Sequence, residues 1–212
     1  MRIANCFMVM ALIANHLHPA VPQQPEEPVA AVFQRLQSQS PTEIHQATEQ
    51  LLKRGRSDPK VREYIALHLP PIIETGPAQK EHPGPWIELV RLAGELRISE
   101  AAPALAKWLT IDNIGEITTA GFMRLENNPA GAALAEIGDP AIPAIVQVFN
   151  SGTLRERRYA VYVLNLINSR DAKSALQKQL TREPDKDLRD FIQKTLASAT
   201  PRNGARGPLS FV

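Results

Sequence analysis

Few residues in this sequence combine the types and the spacing that catalysis or metal binding requires. Its five histidines are His16, His18, His45, His68 and His82. His45 and His68 fall on helices that should be neighbours, but two histidines without a suitably spaced carboxylate or cysteine form a weak metal site. We therefore interpret both as ordinary surface or partly buried side chains and predict no metal ligand.

Thiol chemistry and known catalytic motifs are equally poorly represented. Cys6 is the only cysteine, and a chain cleaved after its apolar N-terminal segment would have no thiol for a disulfide, a zinc site or a nucleophile. The sequence has no HExxH, GxSxG, Walker-type glycine-rich loop or Rossmann fingerprint. The carboxylate pairs Glu26/Glu27 and Asp185/Asp187 lie in a Pro-rich stretch and at a helix start, which suits solvating or dipole-compensating groups. We therefore expect no catalytic residue, no cofactor and no enzyme activity.

Basic residues are concentrated in the last third of the chain. Residues 1–151 contain 12 Lys/Arg and 16 Asp/Glu, whereas residues 152–212 contain 12 Lys/Arg and 6 Asp/Glu. The basic side chains include Arg155, Arg157, Arg158, Lys173, Lys178, Arg182, Arg189, Lys194, Arg202 and Arg206, with Tyr159 and Tyr162 among them. Such a surface could bind a polyanion through its charge and stack bases on its aromatic rings. Because the net charge of the whole chain is only +2, nucleic-acid or polyanion binding is an alternative to a merely solvated basic surface.

The two ends of the chain differ in composition from its centre. Residues 1–20 begin with Arg2 and continue with the almost wholly apolar segment 3–14, which is typical of a secretory signal peptide and short for a membrane span. Residues 21–28 (VPQQPEEP) form a Pro-rich linker, and residues 200–212 form a flexible basic tail. We therefore expect a secreted or periplasmic protein without a stable membrane span after cleavage. A cytoplasmic protein with a frayed N-terminal helix is the alternative.

Residues 29–199 show the spacing of amphipathic helices. Apolar residues recur at positions i, i+3, i+4 and i+7, which places them on one helix face. The sets are Val29/Val32/Phe33/Leu36, Ile44/Ala47/Thr48/Leu51, Ala102/Leu105/Ala106/Leu109, Ile142/Ile145/Val146/Phe149 and Ala160/Val163/Leu164/Ile167. No run of alternating apolar residues indicates a strand. The pattern therefore predicts an all-α domain over residues 29–199.

Helix starts are marked by capping side chains, several of which precede a proline. A glutamate three residues after the cap can complete a capping box. The predicted starts are Ser40-Pro41 with Glu43, Asp58-Pro59, Asp139-Pro140, Thr153 with Glu156, and Asp185. Since the connections between these helices are short, neighbouring helices should pack as hairpins.

Two sequence patterns recur along this domain. One has an arginine, an aliphatic residue three positions on and a leucine seven positions on, and it occurs at Arg62, Arg157 and Arg189. The other aligns the partner helices at Leu105, Ile145 and Leu176. Spacings of 32 and 31 residues within these two series, with two helices per unit, predict an α-solenoid of about four antiparallel helix pairs.

Residues 133–164 (ALAEIGDPAIPAIVQVFNSGTLRERRYAVYVL) resemble a HEAT-like repeat of the type also seen in bilin-lyase-related repeat proteins. The residues that carry the resemblance are Leu134, Ile137, Gly138, Asp139, Pro140, Ile142, Pro143, Ile145, Arg157, Ala160 and Leu164. Segments 41–76, 84–109 and 168–199 match less closely. The resemblance implies an armadillo-type superhelix and structural roles for Arg62, Arg157, Arg189, Asp139 and Pro140.

The resemblance also implies a partner for each repeat arginine, namely an acidic residue near the turn between the helices. Asp58 would allow this for Arg62, and Asp185 or Asp187 would allow it for Arg189. Arg157 has no aspartate in its turn. A ladder of positive charge presented to a ligand is the alternative reading, and we favour the structural role.

One segment interrupts the repeat pattern. Residues 110–128 lengthen the spacing from Leu105 to Ile145 to 40 residues, and their glycines and threonines break any continuous helix face. Insertions in solenoids usually map to a loop on one face, so this segment is either a contact loop or a bent helix that serves as a linker. We favour the bent helix or linker.

These features favour a non-catalytic protein–protein interaction scaffold whose partner is a protein of unknown identity. Stacked helix pairs leave the groove of their inner helices as an extended surface. The inner-helix positions of the clearest repeat, and thus the candidate binding residues, are Arg155, Arg158, Tyr162 and Asn165. A polyanion-binding repeat protein and an accessory subunit of an enzyme complex are the alternatives.

Overall fold

The computed structural model describes residues 27–77, 84–110 and 128–198, and every regular element in these ranges is helical, with no strand. The α-helices are α1 (Val29–Gln34), α2 (Pro41–Ser57), α3 (Pro59–Thr75), α4 (Gly84–Glu95), α5 (Ala102–Ala106), α6 (Pro129–Ile137), α7 (Ile142–Ser151), α8 (Leu154–Ile167), α9 (Arg170–Leu180) and α10 (Lys186–Ser198). Short 3-10 turns cover Arg35–Gln37, Ser99–Ala101 and Asp139–Ala141. The all-α prediction is confirmed for this part of the chain. The predicted signal peptide (1–20), most of the linker (21–28), nearly all of segment 110–128 and the basic tail (200–212) lie outside the described residues.

The helices contact one another in two series. In the even series, α2 packs against α4, α4 against α6, α6 against α8, and α8 against α10. In the odd series, α3 packs against α5, α5 against α7, and α7 against α9. Helices of the two series also pack pairwise, as in α2/α3, α5/α6, α7/α8 and α9/α10. The buried apolar side chains come from both series and form one continuous core.

Most of the apolar faces predicted from spacing are buried in this core. All four members of the sets on α2 and α8 are buried, and so are Leu105, Ile145 and Leu176 on successive helices of the odd series. The apolar set on α7 is only partly buried. Its Ile145 and Phe149 are buried, but Ile142 and Val146 are only half-buried and lie on a side of α7 that solvent can reach.

The predicted helix starts at Ser40, Asp58, Thr153 and Asp185 are confirmed, because each side chain accepts a hydrogen bond from a backbone N–H in the first turn. Thr153 and Glu156 form the complete capping box. At Ser40 the box is incomplete, contrary to the prediction. Glu43 accepts from the Ser38 hydroxyl, and the same hydroxyl accepts from the Ser40 N–H at 3.1 Å.

The predicted cap at Asp139-Pro140 is wrong. Asp139 is the first residue of the 3-10 turn Asp139–Ala141, its side chain makes no capping hydrogen bond, and α7 begins only at Ile142. The residue in the capping position is Gly138, whose φ of 81° turns the chain. Residues with positive φ also follow α4 (Arg97, 52°) and α8 (Asn168, 49°), so a residue with positive φ lies in each of three connections from an even helix to the next odd helix.

Helix α6 is the most enclosed helix of the array. Of its nine residues, all but Glu136 are buried, and most of them are glycine or alanine. The small side chains allow a close approach by α4, because a Cβ atom on Gly94 would lie 2.9 Å from Ala133 Cα. Close backbone packing of this kind fixes the relative position of the charged side chains that α4 and α6 carry.

Candidate interaction surfaces

The four residues predicted to form a binding surface share one side of α8. Arg155, Arg158, Tyr162 and Asn165 are spaced three, four and three residues apart, which keeps them on one helix face. Both arginines are exposed, whereas Tyr162 and Asn165 are half-buried. The guanidinium carbon of Arg155 lies 5.9 Å from the centre of the Tyr159 ring, within the range of a cation–π contact. This face therefore presents two solvent-reaching cations beside aromatic surface.

Arg157, the residue before Arg158 on α8, is half-buried and turned towards the interior. Its Nη2 donates to Glu183 Oε1 at 3.2 Å, and its Nη1 donates to the Gly152 carbonyl at 2.9 Å. The Glu183 side chain has no solvent exposure and also accepts from Gln179 Nε2 and from the Asp185 N–H. The structural role expected for Arg157 thus rests on a buried ion pair, whose acidic partner lies 26 residues away.

Arg189 also stabilises a turn, but by donating hydrogen bonds to backbone carbonyl groups. Its Nη1 donates to the Glu183 carbonyl at 2.8 Å and to the Pro184 carbonyl at 2.7 Å. The carboxylate of Asp185, one of its two proposed partners, instead accepts from the Leu188 N–H at 2.8 Å. An aspartate in a capping position has its carboxylate turned towards the helix backbone, so it is poorly placed to pair with an arginine side chain.

Arg62 differs from the other two repeat arginines in its position. It lies on α3, in the odd series, whereas Arg157 and Arg189 lie on α8 and α10, in the even series. Its Nη2 donates to the Arg97 carbonyl at 3.2 Å, and Asp58 caps α3 by accepting from the Lys60 N–H. The prediction that the three arginines occupy equivalent positions in a repeat is therefore wrong. Their shared spacing shows only that the three helices have similar amphipathic faces.

The exposed side of α2 and α4 carries a network of charges around Arg91. This guanidinium donates to Glu49 on α2 at 2.7 Å and to Glu88 and Glu95 on its own helix at 2.7 and 3.0 Å. Burial alone would lower the pKa of Arg91, but the hydrogen bonds that it donates to Glu88 and Glu49 raise it. Burial likewise opposes ionisation of Glu88, yet its hydrogen bonds with Arg91 and His45 hold its pKa below the usual range. The network therefore stabilises the contact between the two helices.

The two described histidines have separate environments. His45 Nδ1 lies 3.0 Å from Glu88 Oε1, whereas the His68 ring stacks against Tyr64 at 4.2 Å between ring centres. Within residues 27–77, 84–110 and 128–198, no group of three or more His, Cys, Asp or Glu side chains is arranged to hold a metal ion.

Glu136 is the one half-buried residue of α6, and its carboxylate lies over the Gly94 backbone. Burial, followed by the negative charge of Glu95, raises the pKa of Glu136 to about 7, although Arg97 opposes the shift. A carboxyl whose folded-state pKa exceeds its ordinary value of 4.5 favours the folded state most at low pH. That contribution is lost as the pH rises from about 4.5 through 7.

Replacing Glu136 with glutamine should therefore remove part of the pH dependence of stability. We expect the difference in melting temperature, variant minus parent, to be more positive at pH 8 than at pH 5. The reason is that only the parent must bury a carboxylate at the higher pH. Thermal unfolding followed by circular dichroism measures this difference. The matched control is Glu63→Gln on exposed α3 surface. An equal pH response of the Glu136→Gln variant and the parent would contradict the assignment.

A groove of about 340 Å³ lies between α7 and α9, which are neighbours in the odd series. Its lining residues are Ile142, Val146, Phe149 and Asn150 on α7, Asp171, Ser174, Ala175, Lys178 and Gln179 on α9, and Arg182 just beyond it. The apolar members are half-buried or buried, whereas Lys178 and Arg182 are exposed. The sequence pattern identified the apolar face of α7, but it contained no signal that part of this face would stay uncovered.

The chain matches no family model and no curated protein. In the part of the chain that the structure describes, no single helix combines the length and the apolar composition needed to cross a membrane.

Proposed function

We propose that this protein is a non-catalytic protein–protein interaction scaffold built as an α-solenoid of HEAT-like repeats. The packing of even helices with even and odd with odd, in chain order, supports this assignment, because each unit of a solenoid contacts mainly its neighbours. The residues with positive φ after α4, α6 and α8 support it further, since they recur at equivalent connections.

The groove between α7 and α9 is the observation that carries the proposal. Ile142 and Val146 remain half-buried there, although both flanking helices are packed into the array. Apolar side chains left within reach of solvent between two adjacent helices of one series form a groove in which the apolar face of a partner helix can be buried. The exposed arginines of α8 offer a second surface, on the even series.

A capture experiment with the full chain tests the scaffold. We expect proteins retained from extracts of the native source to decrease about tenfold with Val146→Asp, because a carboxylate in the apolar groove opposes burial by a partner. A second variant, Arg158→Glu/Tyr162→Ala, tests the α8 surface. Retained proteins are quantified by mass spectrometry, and nuclease treatment removes capture that depends on nucleic acid.

The control for this experiment is Lys60→Glu, an exposed substitution at the start of α3. It should retain the same partners as the parent protein. Capture that is identical for the parent, the groove variant and the α8 variant would contradict the scaffold, and so would capture that disappears entirely after nuclease treatment.

A further inference from the structure

The groove between α7 and α9 has a defined direction. Only two residues connect α7 to α8 and α8 to α9, and both helices contact α8, so each forms a hairpin with it and the two run in similar directions. Ile142 and Asp171 then lie towards one end of the groove, and Asn150 and Lys178 towards the other. From Ile142 to Asn150 the groove follows about 12 Å of helix, at 1.5 Å per residue. This length corresponds to about two turns of a docked helix.

The lining of the groove is mixed, with an apolar part that we call its floor. Val146 and Phe149 on α7 and Ala175 on α9 form this floor, whereas Asn150, Ser174 and Gln179 add polar groups beside it. A ligand that placed aliphatic side chains here would remove them from water, whereas a purely ionic ligand would gain nothing from the floor. The floor therefore favours an amphipathic occupant.

The rim carries an excess of positive charge at one end. Lys178 and Arg182 are exposed, and neither forms an ion pair with any side chain in the described ranges. At the opposite end, Asp171 already has a cationic neighbour, with Arg170 Nε at 3.7 Å. The uncompensated charge of the groove is therefore positive, and complementary charge on a partner would set its orientation.

We propose that this groove binds an acidic amphipathic helical segment of a partner protein, with its aliphatic side chains on Val146, Phe149 and Ala175 and its carboxylates beside Lys178 and Arg182. The proposal rests on the scaffold function and adds the chemistry of the partner. Two turns of a helix with aliphatic residues at i, i+3 and i+4 match the length of the floor. Acidic residues one turn further on would reach the basic end.

Binding of synthetic peptides to the full chain tests the proposal. The probe is a fluorescein-labelled peptide of about 14 residues, with leucines at helical spacing and glutamates elsewhere, and binding is read by fluorescence anisotropy. One comparison peptide has lysine for every glutamate, and another has serine for every leucine. We expect only the first peptide to bind, with an affinity that falls as the salt concentration rises.

Substitutions in the groove separate charge from apolar contact. Lys178→Glu/Arg182→Glu should weaken binding about tenfold or more, and Val146→Ser should weaken it several-fold. The matched control is Lys53→Glu/Lys60→Glu, which makes the same change in net charge on exposed positions of α2 and α3. It should bind the acidic peptide as the parent does. Circular dichroism melting of each variant checks that the fold is retained.

Three outcomes would overturn the proposal. The first is equal binding of the acidic and basic peptides, and the second is no binding of any peptide. The third is that a heparin oligosaccharide binds as tightly as the acidic peptide, with an affinity that Val146→Ser does not change. That result would identify the groove as a polyanion-binding site. Failure here with partner capture intact would reject this groove chemistry alone, whereas loss of both would reject the scaffold.

Discussion

Replacing Arg157 with methionine should lower the free energy of unfolding by about 3–5 kcal/mol, the usual consequence of removing one partner from a buried ion pair. The carboxylate of Glu183 has no solvent exposure, and in the variant it would keep only its hydrogen bonds from Gln179 and the Asp185 N–H. The Gly152 carbonyl would also lose its donor. Urea unfolding followed by circular dichroism measures the change.

The neighbouring position provides the control for this substitution. Arg158 is exposed on the same helix, so Arg158→Met should change stability by no more than about 0.5 kcal/mol. The double substitution Arg157→Met/Glu183→Leu removes both charges and should recover much of the loss, because an apolar pair of similar volume is often as stable as a buried ion pair. Equal effects of Arg157→Met and Arg158→Met would show that the buried pair contributes nothing.

Alanine at Gly76 should be the most damaging of the glycine substitutions, with a loss of about 3 kcal/mol or more. Gly76 follows α3 with φ 75° and ψ −177°, a conformation that costs other residues about 1–3 kcal/mol. A Cβ atom there would also overlap Cζ2 of Trp108, and overpacking typically costs a further 1–3 kcal/mol or so. Trp108 packs edge-on against Trp86, whose Nε1 donates to the Ile73 carbonyl at 3.1 Å, so the ring has little freedom to move aside.

Two further glycines separate backbone strain from overlap in this experiment. Gly138 has φ 81° but open space around its Cβ position, so Gly138→Ala measures strain alone. Gly84 has neither positive φ nor a neighbour within 4 Å, so Gly84→Ala should be nearly neutral. Chemical denaturation should rank the losses with Gly76→Ala largest, Gly138→Ala intermediate and Gly84→Ala smallest. A loss at Gly138 as large as that at Gly76 would exclude any role for the Trp108 contact.

The features that could be predicted from the sequence depend on residues close together in the chain. The capping box joins Thr153 and Glu156, three positions apart, and the buried face of α8 repeats over two turns. Backbone geometry alone brings such residues together. Helix type, several helix starts and most of the core were therefore accessible before any tertiary contact was known.

The features that were missed depend on how separate helices meet. Glu183 reaches Arg157 only because the turn after α9 folds back onto the start of α8, and no local pattern marks a pair 26 residues apart. Ile142 and Val146 have the spacing of core residues, but whether a face is covered depends on the separation of α7 and α9. Arg62 was grouped with Arg157 for the same reason, since an amphipathic pattern carries no information on which series a helix joins.

Glu183 occupies a junction that affects the cooperativity of the chain's last helices. Its carboxylate receives Arg157 from α8, its carbonyl receives Arg189 from α10, and its N–H donates to Gln179 on α9. Terminal helices tend to open independently, because they have neighbours on one side only. Here, opening α10 alone would break a contact to the same residue that anchors α8 and α9. The three helices are therefore coupled through one residue, so we expect α10 and the α9 wall of the groove to open together and less often than an independent terminal helix would.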